Sequence, residues 1–182
     1  GSWDLMCAGN YNGETFCPAG YTAYEKMMCG WLTPEELTTD KKVTELKPLS
    51  EGGGAYIIYN DDNRNEYYLL ANRQQTKWDS ALSGAGLLIT HVDYDENCWN
   101  NNVVNTLGKF RQSDGYSADF DNSHQRLTIF HADNDDDSAY WKEDSKQYAR
   151  KTETGDTYPY RDNNSLNNNS IPEAILYNAT KD

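Results

Sequence analysis

Positive charge is what this 182-residue chain has least of: 16 Lys and Arg stand against 29 Asp and Glu, a formal net charge of −13. A duplex-binding protein needs clustered Lys and Arg to displace counterions from phosphates, so the balance argues against nucleic acid and equally against an anionic membrane surface. Long apolar runs are missing too. No stretch approaches the roughly 20 residues that span a bilayer, and no transmembrane segment is expected. Histidine is scarce, with His91, His124 and His131 alone. A zinc-peptidase helix needs two histidines at i and i+4 so that both rings face one ion, with a Glu between them as base. No such pair occurs, and taken singly each histidine reads as a hydrogen-bonded structural residue. The four cysteines (Cys7, Cys17, Cys29, Cys98) follow no C-x-x-C or other zinc spacing. Two disulfides and buried free thiols are both open readings. The G-x-S-x-G elbow, the Walker loop and the Rossmann fingerprint are absent, and the many carboxylates fall in no order that pairs them as acid and base.

Aromatic residues are plentiful: 14 Tyr, 5 Trp and 4 Phe. Tyr and Trp suit half-buried sheet faces, where the ring packs and the polar tip reaches water. With abundant Asn and Asp they point to an extracellular, β-rich protein. Residues 1–17 are Gly- and Asn-rich and read as an irregular loop. In "YTAYEKMMCGW", Thr22 followed three residues later by Glu25 is a capping box. Tyr21, Tyr24, Met28 and Trp31 recur at helical spacing, and Gly30 fits a C-terminal cap. "LTPEEL" reads as a turn with at most one helical turn after Pro34.

From Lys42 the period becomes strand-like. "KVTELKPL" alternates, and "AYIIYN" and "EYYLLANRQ" flank the turn "DDNRN" as an antiparallel hairpin. "SGAGLLITHVDYD" and "QRLTIFHAD" read as further strands. The polar tail, with "RDNNSLNNNS", is expected to wrap the sheet as loops. The expected fold is therefore mainly β, an antiparallel sheet or sandwich with one N-terminal helix, α+β overall. Two parts are expected, 1–37 and 38–182. In "DNDDDSAY", Asp133, Asp135 and Asp137 alternate like the first half of a calcium loop. Ser138 stands where an EF-hand requires Gly and no Glu follows at the twelfth position, so only an irregular calcium site is expected there.

Longer strings carry a resemblance. "GSWDLM" followed by "PAGYTAYEKMMCGWLTP" resembles the segment after the zinc helix in secreted metallopeptidases of the immune inhibitor A family, in the versions common in Bacteroidetes. Trp3, Leu5 and Met6 match its Met-turn stretch; Ala23, Glu25, Lys26, Gly30 and Trp31 match the helix that follows. "NEYYLLANRQQTKWDSALSGAGLLITHVD" is similar to the family's "EYFLLENRQ…GWD..LPG.GLLIWHVD", through Glu66, Tyr67, Leu69, Leu70, Asn72, Arg73, Gln74, Trp78, Asp79, Gly84, Gly86, Leu87, Leu88, Ile89, His91, Val92 and Asp93. "FHAD" and "GDTYPYRDNNSLNNNSIPEAILYN" resemble its closing region. The departures are Ala71 in place of an acid, Ser83 in place of Pro, and Thr90 where Trp is frequent.

The resemblance implies a portion of a secreted, periplasmic or cell-surface zinc metallopeptidase that hydrolyses proteins. Met6 becomes an apolar floor under the zinc, not a ligand, and Trp3, Tyr11 and Tyr21 become walls of the substrate cleft. The H-E-x-x-H helix lies upstream of the Met-turn, so the ligands of the parent enzyme's zinc fall outside this chain and residues 1–37 are the remnant of its catalytic domain. The chain alone is then expected to be inactive, with the missing catalytic part or a second copy as partner. The alternative is an extracellular module that binds carbohydrate or peptide on its aromatic-rich sheet.

Overall fold

The structure, a computed structural model, describes residues 1–136, 139–142, 144–150 and 153–178, excluding the side chains of 139–142 and 147–150. The β-rich expectation holds. Five strands, β1 (Glu35–Glu36), β2 (Ala55–Tyr59), β3 (Glu66–Arg73), β4 (Gly86–Asp93) and β7 (Leu127–Ile129), form one sheet in the order β1-β2-β3-β4-β7. Two small ribbons accompany it, β5 (Gly108–Phe110) with β6 (Phe120–Asn122) and β8 (Ala139–Lys142) with β9 (Gln147–Arg150). The helices are short: α1 (Ala23–Met28) and α2 (Glu96–Asn100).

β2 and β3 make the expected hairpin, with Ile57 opposite Leu69. Its turn is closed by asparagine. Asp62 N–H donates to Asn60 Oδ1, and Asn65 N–H to Asn63 Oδ1, so these side chains bond the backbone two residues on. β4 pairs antiparallel with β3 over its whole length, and β7 pairs with β4. The outer edge of β7 is covered locally, because the Asn105 side chain donates to Leu127 O and accepts from Leu127 N–H.

Period-two alternation sends successive side chains to opposite faces, and both faces are covered. On the first, Tyr67, Leu69, Ala71 and Val92 pack in clusters that include Ala23, Tyr24 and Met27 of the α1 region, while Leu88 packs with Trp3, Ala19 and Leu82. On the second, Ile89 packs with Phe130, Ala132 and Tyr158, joined by Tyr68, Leu70 and Leu166. The polar tail wraps this second face as expected, with Leu87 and Tyr158 bridged antiparallel. Residues 1–37 and the sheet share these clusters; the expected boundary at residue 37 separates no core.

Tyr177 and Asn178 of the tail meet a buried carboxylate. Glu66 accepts from the backbone N–H groups of Tyr177 (2.6 Å) and Asn178 (2.9 Å), from Asn60 Nδ2, and pairs with His91 Nε2 at 2.9 Å. Asp93 beside it accepts from Asn178 Nδ2, Arg126 and His124. The His124 ring stacks on Tyr177 with centroids 3.6 Å apart.

Three expectations need correction. α1 has its capping box, with Thr22 accepting from Glu25 N–H and the Glu25 carboxylate from Thr22 N–H, and Gly30 follows at φ +71°, which glycine adopts without Cβ strain. Its packed face, however, is Ala23, Tyr24 and Met27; Met28 and Trp31 are exposed. "PEEL" is not a helical turn but β1, parallel to β2 and extended by Leu37 N–H to Ile57 O. "KVTELKPL" forms no strand. β1 occupies the free edge of β2, so this segment has no ladder to join, and it is held instead by Asn72 Nδ2 donating to Leu46 O.

Candidate functional site

A cleft of about 300 Å³ opens between the N-terminal segment and the first face of the sheet, beside β7. Trp3 and Tyr24 line one side, Thr90 and Ile129 the floor, and His131 and Asp156 the far end. Asp4, Asp135, Asp136 and Glu153 also line it, so the field inside is strongly negative.

The N-terminal wall is held by a buried ion pair. Arg73, the last residue of β3, makes two bonds to Asp79, Nε to Oδ2 at 2.9 Å and a terminal nitrogen to Oδ1 at 2.8 Å. This fork geometry is the strong form of the pair. Two further guanidinium N–H groups donate to Trp3 O and Gly20 O, while Asp79 accepts from Gly20 N–H. Both side chains are 1% exposed. A buried guanidinium bonded to one carboxylate and two backbone carbonyls fixes two points of the loop at once.

The far end of the cleft ties to the same segment. Trp3 Nε1–H donates to Asp156 Oδ2 at 2.6 Å, and Ser2 N–H donates to Glu153 Oε2 at 2.6 Å. The other oxygen of Asp156 meets His131 Nδ1 at 2.9 Å. Burial alone would lower the His131 pKa. The hydrogen bond and charge of Asp156, with the charges of Asp133 and Asp136, outweigh it and raise the value above the ordinary range. Asp133 N–H donates to Gly155 O, and a Cβ on Gly155 would lie 2.0 Å from the Asp133 carboxylate. Only glycine lets that carboxylate approach. Ligand atoms of His131, Asp133 and Asp156 consequently lie within 4.8 Å of one another.

The residues expected from sequence are distributed unevenly around this cleft. Trp3 lines it. Tyr11 and Tyr21 do not: Tyr11 is exposed, and Tyr21 meets Trp31 edge-on with centroids 5.3 Å apart. Met6 is 82% exposed. Of the expected calcium ligands, Asp135 lines the cleft and Asp133 turns toward His131 and Asp156; Asp137 lies outside the described residues. Sequence reading missed Asp156 and Glu153, which are 153 and 151 residues from the Trp3 and Ser2 that they bind. The one available signal was the presence of Asp156 in the matched string "GDTYPY".

Each histidine meets a different carboxylate, His91 with Glu66, His124 with Asp93 and His131 with Asp156. Among the described residues no group of three possible metal ligands contains two histidines, so a zinc peptidase's two-histidine ligand set does not fit these side chains. The four cysteines are free, with Cys98 buried and Cys7 exposed in the cleft wall. No protein-family model matches the chain, and no curated protein or solved structure matches it either.

Proposed function

We propose that this chain is the region following the zinc helix of a secreted, immune inhibitor A-like metallopeptidase, where it forms and braces a wall of the substrate cleft. One observation carries the reading. The strings that bear the resemblance, distant in sequence, interlock at one place: Arg73 and Asp79 of "NRQQTKWD" grip Trp3 of "SWDLM" and Gly20 of "PAGY", while Asp156 of "GDTYPY" accepts from the Trp3 indole. A likeness spread over such a unit has a physical reason to persist as a whole.

In this reading these residues hold no catalytic zinc, because no candidate metal-binding group among the described residues contains two histidines. Their work in the proposal is mechanical, keeping Trp3 and the loop up to Gly20 in place. The chain alone then cleaves nothing, and Met6 is covered only in the complete enzyme. The reading frame upstream of Gly1 tests this. An in-frame H-E-x-x-H helix within about one domain's length, with casein cleavage by the longer product and none by residues 1–182, is the expected result. No such helix, or chelator-sensitive casein cleavage by residues 1–182, overturns it.

A second reading, a carbohydrate- or peptide-binding module, draws on the exposed rings of Tyr21 and Trp31, which meet edge-on at the surface. Saturable quenching of tryptophan emission by an oligosaccharide or peptide, lost in Trp31→Ala, would favour it.

A further inference from the structure

We propose that His131, Asp133 and Asp156 form a binding site for one divalent first-row transition-metal ion, of the zinc or cobalt kind. The site is built wholly from this chain and does not rest on the peptidase reading.

The donor set comes first. One imidazole nitrogen and two carboxylates from three separate positions bring their ligand atoms within 4.8 Å of one another. An ion bound at about 2.0–2.2 Å to nitrogen and oxygen needs its ligand atoms about 3–4 Å apart. His131 Nδ1 and Asp156 Oδ1 already stand at 2.9 Å, and a carboxylate oxygen of the half-buried Asp133 lies within 4.8 Å of both. The imidazole decides the class of ion. Oxygen-only sets suit calcium and magnesium, while a histidine nitrogen suits zinc, cobalt and their neighbours.

The surroundings are those of a supported site. Trp3, 1% exposed, donates its indole N–H to the Asp156 oxygen that faces away from His131. This is the outer hydrogen bond that orients a ligating carboxylate and is worth about 10–100-fold in affinity elsewhere. Gly155 leaves the room that brings Asp133 close. The cleft beside the three residues supplies space for water in the remaining coordination positions. The ion takes the place of the hydrogen that now lies between His131 and Asp156, so binding releases at most one proton and changes no oxidation state.

Cobalt(II) is the probe, followed by its visible d–d absorption and by titration calorimetry on the 182-residue chain. One ion per chain is expected, displaced by zinc and not by a hundredfold excess of calcium. His131→Gln and Asp133→Asn should each weaken binding at least tenfold with an unchanged circular dichroism spectrum. Trp3→Phe, which keeps the ring and removes the N–H, should weaken it about tenfold with the cobalt spectrum intact. Asp133 is half-buried, so its variant reports on binding even if a Trp3 variant folds poorly. No cobalt binding at millimolar ion overturns the proposal. So does undiminished binding in His131→Gln, equal competition by calcium, or a thiolate charge-transfer band that places the ion on Cys7. Those outcomes leave the peptidase reading untouched, because that reading asks no residue of this chain to hold a metal.

Discussion

The two ends of β3 solve the same problem with different chemistry. At its C-terminal end Arg73 points to the first face and holds the N-terminal segment; at its N-terminal end Glu66 points to the second face and holds the C-terminal one. They stand at the two ends of an eight-residue strand, seven positions apart, and an odd separation with period two puts them on opposite faces. Arg73 is matched by a carboxylate. Glu66 is matched by amide donors and by a histidine. One clamp is an ion pair between a guanidinium and a carboxylate. The other is a lone carboxylate in a nest of N–H groups, whose neighbours titrate.

The sharpest way to break the comparison is to unpair the first clamp. Asp79→Ala leaves the Arg73 guanidinium buried without its partner and orphans Gly20 N–H. Losing one member of a buried pair costs about 3–5 kcal/mol. Urea unfolding should show a loss of that size, and amide exchange should show the segment around Gly20 released. Glu66→Gln is the milder matching change at the other end. It keeps the shape and one acceptor but removes the charge from five donors' focus, a loss of about 1.5–3 kcal/mol. If the glutamine variant is the more costly of the two, the ion pair is not the stronger clamp.

Acid separates the ends without mutation. Burial pushes the Glu66 carboxyl up, but the bonds from Tyr177, Asn178, Asn60 and His91 together hold it below its ordinary 4.5. Burial holds His91 below 6.5 although Glu66 pulls the other way, and burial with the Arg126 charge holds His124 below it. A base with a depressed folded value is kept neutral by the fold, so its contribution is present above about 6.5 and erodes as pH falls. The Glu66 contribution is present above its ordinary value and is lost lower still, as pH falls through its folded one. Every one of these shifts acts on the acid side. Between about pH 7 and pH 5, exchange protection at Tyr177 and Asn178 should drop while protection at Gly20, bonded to Asp79, holds. A uniform loss at both ends would refute the distinction.

What the sequence made legible was local. The hairpin shows because Ile57 and Leu69 alternate with their neighbours and because Asn60 and Asn63 close their own turn. The cap shows because Thr22 and Glu25 stand three apart. β1 stayed hidden because its residues, Glu35 and Glu36, are exposed on both faces and carry no apolar signal. The opposite error, a strand at residues 42–49, arose because alternation says nothing about whether an edge is free. The candidate site was the least legible part. His131 and Asp156 look like any polar residues until the sheet brings them together, and the fixing contact, Trp3 with Asp156, closes 153 residues of chain.

The smallest effects contrast positions close in sequence to the first clamp. Thr22→Ala removes the acceptor for Glu25 N–H and costs about 1 kcal/mol, confined to α1 in exchange measurements. Met6→Ser should cost less still, within about 0.5 kcal/mol, because an exposed side chain with no packing role leaves little to lose. Three residues away, Trp3→Ala empties a buried ring site and is expected to cost about 3–5 kcal/mol. Measured side by side in urea, the two substitutions say which residue of "SWDLM" this chain uses for its own fold. In the longer product proposed above, Met6→Ser should instead become destabilising, because covering Met6 gives it contacts to lose. If Met6→Ser stays neutral there, Met6 is covered in neither form, and the apolar-floor role fails even where the zinc helix is present.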